Sequence, residues 1–228
     1  MKALFKKGDL IKDHSLYLYV IKIDDVKSES NRILNKLKER TWLSEIEDET
    51  LVNSFRSRAD KTSSLFETKM NEKSDDFDDF LTFIGEKIIT INSNETIEDE
   101  KDFKALPLPE LFKMKAEGNP GFDFFNEDKK KCFLIYGEGK FIKGKTAYNN
   151  AAKQVCSFLK EDYVNQEWAE LMHFANPKSG SNPYKEFSIG FSFPKGMKYD
   201  DIFNNLKSNK YVNELLTKYT VYAIGVEI

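Results

Sequence analysis

The run Gly121-Phe122-Asp123-Phe124-Phe125, a polar turn from Asn126 to Lys130, and the run Lys131-Cys132-Phe133-Leu134-Ile135-Tyr136-Gly137-Glu138-Gly139-Lys140-Phe141 decide how this chain is read. Two apolar runs separated by about five polar residues predict a β-hairpin. Each run carries charge inside otherwise apolar sequence, and a strand that enters a core does not carry unpaired charge without a reason. Side chains alternate along a strand. Glu138 and Lys140 therefore share a face, about 6 to 7 Å apart, and Asp123 on the partner strand can reach that face too. Two acids and a lysine then surround one point.

That trio suits metal-dependent phosphodiester cleavage. Mg²⁺, or Mn²⁺ in its place, takes oxygen ligands and keeps several waters, so one or two carboxylates plus a substrate phosphate complete its shell. Asp123 and Glu138 supply such oxygens. The ammonium of Lys140 can orient a water or stabilise charge building on the phosphate. Gly137 and Gly139 flank the glutamate and read as places where a substrate backbone comes close. The same Glu-x-Lys pattern also describes an ordinary same-face ion pair on a solvated strand edge. A non-catalytic interaction subunit is therefore the competing reading.

Asp123, fourteen residues, then Glu138-Gly139-Lys140 resembles the D…(D/E)xK signature of the PD-(D/E)xK, restriction-endonuclease-like nuclease superfamily. The resemblance covers residues 80–160 and implies an α/β fold in which a helix, a three-stranded meander, a helix and a further strand form the core. It implies a further metal-proximal acid at Glu86 and a site glutamine at Gln154. Gln154 and Phe158 resemble the Gln-x-x-x-aromatic motif of the nuclease domains of recombination helicases. The aromatic is Phe where that motif usually carries Tyr, and the motif proline is absent, Pro120 lying three residues before Asp123.

The runs Leu106-Pro107-Leu108-Pro109-Glu110-Leu111 and Ala147-Tyr148-Asn149-Asn150-Ala151, taken with the hairpin, are similar to HamA, the family of nuclease subunits of the Hachiman antiphage system. That resemblance implies a DNA-degrading effector gated by a helicase partner, HamB-like. It leaves an RNase or a junction-resolving enzyme open.

The chain has 228 residues, 19 of them Phe, enough for one good core. Two cysteines, Cys132 and Cys156, both in apolar segments, are expected to be buried thiols and exclude a disulfide framework. His14 and His173 stand too far apart in sequence to support a zinc site or a Ser-His mechanism. No apolar run suits a signal peptide or a membrane span, so a cytoplasmic protein is expected. No Walker loop is present, so an ATP-driven step falls to a partner. The net charge of −3 argues against a uniformly basic DNA-binding surface. Between residues 139 and 160, however, stand five lysines and no acid, and Lys143, Lys145 and Lys153 are the candidate phosphate contacts.

Residues 1–74 read as an N-terminal strand, 16–23, with a helical elaboration over 28–70 capped by Ser28 or Ser30. Its apolar periodicity without chemistry marks it as a partner-docking region. Residues 75–228 read as the nuclease core. A helix spans 74–90, with Ser74-Asp75-Asp76 at its acidic start. Residues 92–104 are polar and predict a loop. Helices are expected over 146–160, 165–175 and 200–219, and strands over 187–193 and 220–228. The loop 176–184 is expected to overhang the cleft.

Overall fold

The computed structural model describes residues 2–11, 13–71, 77–113, 121–128, 130, 133–175 and 185–228. Ser74-Asp75-Asp76, the loop 176–184, Lys131 and Cys132 lie outside the described residues. The strands are β1 (Phe5–Ile11), β2 (His14–Lys22), β3 (Lys104–Ala105), β4 (Phe124–Asp128), β5 (Phe133–Lys140), β6 (Lys185–Phe193) and β7 (Val221–Glu227). They form one sheet in the order β1-β2-β7-β6-β5-β4-β3. The four consecutive strands β2, β7, β6 and β5 run parallel; β1 pairs antiparallel with β2, β4 with β5 and β3 with β4. Parallel strands covered on both faces are buried along their length, as in Phe187-Ser188-Ile189-Gly190-Phe191, where the Ser188 hydroxyl donates to the Tyr222 carbonyl at 3.1 Å.

The helices are α1 (Val26–Lys38), α2 (Glu49–Asn71), α3 (Phe77–Lys101), α4 (Pro109–Phe112), α5 (Tyr148–Lys160), α6 (Tyr163–Leu171), α7 (Tyr199–Ser208) and α8 (Lys210–Leu215), with a 3-10 turn at Thr41–Glu45. One sheet face packs α3 and α1 through Ile33, Leu37, Ile84, Ile88, Phe124, Ile135 and Ile224. The other packs α5 to α8 through Phe122, Phe125, Tyr136, Val155, Phe187, Phe191 and Phe203. A fully buried Phe, Leu or Ile contributes roughly 1.5–3 kcal/mol, so these two layers dominate folding. Among the described residues no helix is long and apolar enough to cross a membrane.

Several expectations need correction. The hairpin turn begins later than the polar run suggests, because Asn126, Glu127 and Asp128 are strand residues and all three are buried. Asn126 is admitted because its amide donates to the Asn94 carbonyl at 3.0 Å. Residues 92–101 are the last ten residues of α3, not a loop. Their polarity is answered by α1 rather than by water: Asn92 donates to Glu29 at 2.7 Å, and Arg32 bridges Glu29 at 2.7 Å and Glu95 at 2.8 Å. Asp25, not Ser28 or Ser30, caps α1, its carboxylate accepting from the Lys27 and Ser28 amides. The helix expected over 200–219 is broken at Asn209, which ends α7 and caps α8.

The apolar stripe of 28–70 faces inward as well. Ile33, Leu37, Phe55, Ala59 and Phe66 are buried, against α3, α4 and the sheet, so the periodicity taken for a docking surface is satisfied within the chain. Cys156 is a buried free thiol, pushed by burial up to about 11, as an inert core cysteine should be.

Candidate active site

The β4-β5 register pairs Phe124 with Gly137, which sets Asp123, one residue before β4, opposite Glu138. The Asp123 amide extends the ladder by donating to the Gly137 carbonyl at 2.9 Å, and its Oδ2 accepts from the Gly139 amide at 2.9 Å. Lys140 Nζ lies 2.8 Å from Glu138 Oε1 and 3.5 Å from Glu86 Oε1 on α3. The expected trio of Asp123, Glu138 and Lys140 is therefore assembled at the carboxyl end of β5.

Burial sets the electrostatics. Glu138 is 1% exposed, and its Oε2 has no hydrogen-bond partner among the described residues. Burial, then the nearby Asp123 carboxylate, push the Glu138 carboxyl well above the usual carboxylate range against the pull of Lys140. Asp123 is raised too, chiefly by burial, with Lys140, the Gly139 amide and Lys87 opposing. Burial is also the largest influence on Lys140 and favours its neutral form, but Glu138 and Asp123 together outweigh it and hold the ammonium above its ordinary value. Lys140 thus stays charged at neutral pH, which makes it a donor and counter-charge rather than a base.

Two neighbours complete the site without having been anticipated. Lys87 on α3 pairs with Glu110 at the start of α4 at 2.5 Å, and both act electrostatically on Asp123. The only signals for them were the position of Lys87 beside Glu86 and that of Glu110 at the end of the Leu-Pro-Leu-Pro run. The segment entering Asp123 is tethered from the opposite helix layer. Glu167 on α6, buried and paired with Lys113 at 2.6 Å, lies where a side chain on Gly121 would be, 1.7 Å from an added Cβ. With φ at +116°, only glycine fits there.

Not every expected residue joins this point. Glu86 is 54% exposed and touches the group through Lys140. Among the described residues no three acids, histidines or cysteines form a metal-holding set. Gln154 is half-buried on α5, and its side chain makes no hydrogen bond with the described residues. Its companion Phe158 packs on Phe122 at 5.1 Å and so supports the segment beside Asp123. Lys143, Lys145 and Lys153 are exposed, the first two in the turn after β5, while Lys160 of the same basic stretch pairs with Glu214. The close approach at Gly137 and Gly139 is made by the protein itself: added Cβ atoms would stand 2.2 Å from the Phe124 ring and 2.6 Å from Thr90 Oγ1 of α3.

What the carboxylates can hold follows from their chemistry. Asp123 and Glu138 offer two hard oxygen donors, one of them a buried carboxylate oxygen lacking a partner among the described residues, and they repel each other. A divalent cation of the Mg²⁺ or Mn²⁺ type fits such a pair, since it needs few protein ligands. Comparison with known family models and with curated proteins finds no match.

Proposed function

We propose that this chain is a metal-dependent nuclease acting on DNA. The observation that carries the reading is the convergence of Asp123, Glu138 and Lys140, with one Glu138 oxygen held by Lys140 and the other buried without a partner among the described residues. Asp123 and Glu138 would hold Mg²⁺ or Mn²⁺, which when bound supplies an acidified water and neutralises phosphate charge. The protein's own share is positional and electrostatic. The Gly139 amide orients the Asp123 carboxylate, Glu138 and Glu86 hold the Lys140 ammonium, and that ammonium donates to a phosphate oxygen or to the attacking water. Lys143, Lys145 and Lys153 meet the phosphate backbone. The order α3, β3-β4-β5, α5, β6 also supports the reading, as the PD-(D/E)xK resemblance implies helix, meander, helix and strand in that sequence.

The test is cleavage of plasmid and of linear DNA in Mg²⁺ by the wild-type chain, Glu138→Ala and Lys140→Ala, with folding checked by circular dichroism. Both variants and EDTA treatment are expected to lower the rate by about 10² or more, the scale of losing one transition-state stabilising group. Undiminished cleavage by folded Glu138→Ala overturns the assignment. The resemblance to the Hachiman nuclease subunits adds a HamB-like DNA helicase that delivers DNA and restrains activity. Full-rate plasmid degradation by the chain alone overturns that gating.

A second reading has its own observation. Lys140 already pairs with Glu138 and Glu86, as it would in a structural ion-pair network of a non-catalytic subunit. Titration with Mn²⁺ separates the two: a saturable rise in Tm lost in Glu138→Ala belongs to the enzyme, and no rise belongs to the scaffold.

A further inference from the structure

The carboxyl ends of parallel strands are where open α/β sheets bind ligands, and a cavity of about 540 Å³ opens at that edge next to the candidate active site. Its wall begins at Phe141, the residue after Lys140, whose ring lies on Gly85 beside Glu86; a Cβ on Gly85 would stand 2.4 Å from it. Phe141, Ile142 and Ile228, all half-buried, form an apolar interior. Ser192 fixes the wall, its hydroxyl accepting from the Ile142 amide at 2.9 Å.

Among the described residues two exposed lysines, Lys27 and Lys195, stand at its border. Asp24 and Asp25 line it as well; Asp24 pairs with Lys22 at 2.6 Å, and Asp25 caps α1. The cavity therefore combines an apolar interior that carries one aromatic ring with the exposed ammonium groups of Lys27 and Lys195 at its border.

We propose that this cavity seats one nucleotide of a single-stranded polynucleotide leading from the cleavage point, its base among Phe141 and Ile142 and its phosphate against Lys27 and Lys195. The proposal rests on the nuclease reading and deepens it, by naming the strand state of the substrate. Its volume lies in the range of small-ligand sites, about 300–1,000 Å³, whereas a duplex cannot enter a pocket of that size. A ring face beside ammonium groups is how proteins hold single strands without reading their sequence.

The test is fluorescence anisotropy with labelled oligothymidylate and with a blunt duplex of equal strand length, in Ca²⁺ in place of Mg²⁺ to limit turnover. Two variants are compared with the wild type: Lys27→Ala/Lys195→Ala removes charge from the border, and Val26→Trp fills the cavity from α1. Each is expected to bind oligothymidylate about ten-fold more weakly, with the duplex affected less than about two-fold. The double variant should also lose about 1.4 from the slope of log affinity against log salt, at about 0.7 per single-strand contact.

Unchanged single-strand binding in folded samples of both variants overturns the proposal, and so does an equal loss for duplex and single strand. Competition by free thymidine monophosphate as tight as the oligonucleotide assigns the cavity to a free nucleotide instead. Plasmid cleavage by the wild-type preparation is scored separately. An active enzyme whose binding ignores both variants removes the pocket and keeps the nuclease, whereas cavity-dependent binding without cleavage does the reverse.

Discussion

Glu138 concentrates the tension of the site in one side chain. A buried carboxylate with one oxygen paired and one unpartnered among the described residues is costly when ionised, because burial and Asp123 both oppose the charge. The sign of the pH effect follows from the raised carboxyl. As pH climbs from the acid side the unfolded chain ionises first, so stability falls from the ordinary Glu range until the folded carboxyl also ionises. In metal-free buffer, the Glu138 contribution, read as the difference in melting temperature between the wild type and Glu138→Gln, should therefore turn against the wild type on going from acid to neutral pH. Glu138→Gln should melt roughly 2–4 °C higher at neutral pH, the size of about a 1 kcal/mol change at this chain length, and the gain should shrink toward acid pH. The variant should also lose the metal-induced rise in Tm, because that rise comes from binding the ionised form. A variant that melts below the wild type at neutral pH would show that the pair with Lys140 outweighs the burial.

At the scale of elements, the seat of α3 on the sheet decides where Glu86 and Lys87 stand. Gly139 admits Thr90, and Gly190 on β6 admits Ser93, whose hydroxyl would be 2.2 Å from an added Cβ. These contacts are backbone or short side chains, so the helix cannot yield cheaply. Gly139→Ala is expected to cost about 1–3 kcal/mol, the usual range for overpacking. It should also reduce cleavage beyond what instability explains, since it displaces α3 relative to Lys140. Urea denaturation alongside kcat at a temperature where the variant is fully folded checks this; wild-type stability in Gly139→Ala rules out the tight seat. The Glu29-Arg32-Asn92-Glu95 cluster fastens the same turns of α3 to α1.

For the molecule as a whole, the sheet runs unbroken across the boundary between residues 74 and 75. β2 pairs in parallel with β7 over seven positions, from Leu16 with Val221 to Lys22 with Glu227, and Leu16, Leu18, Val20 and Ile21 are fully buried. Removing residues 1–74 strips one side of β7 and uncovers α3 where α1 packs on it. Such an edge is a template for aggregation. The chain 75–228 expressed alone is therefore expected to be insoluble or unfolded by circular dichroism, and a soluble, cooperatively melting 75–228 would establish the N-terminal part as a separable module. A helicase partner docking on 28–70 would meet its polar outer face, as the apolar stripe is taken up inside.

The amino-acid sequence alone determined the hairpin, the shared face of Glu138 and Lys140, the nearness of Asp123, and the α/β alternation, because each rests on local periodicity and charge placement within one or two neighbouring segments. What lay beyond its reach were matters settled between segments distant in sequence. Residues 92–101 read as loop since polar side chains ordinarily seek water, yet Glu29 and Arg32, some sixty residues earlier, take water's place. Gly137 and Gly139 read as openings for substrate, but only the packing of α3 and Phe124 shows what fills them. Lys87 and Glu110 became part of the site for the same reason: an ion pair between two helices is set by how those helices meet, and sequence spacing carries no record of that.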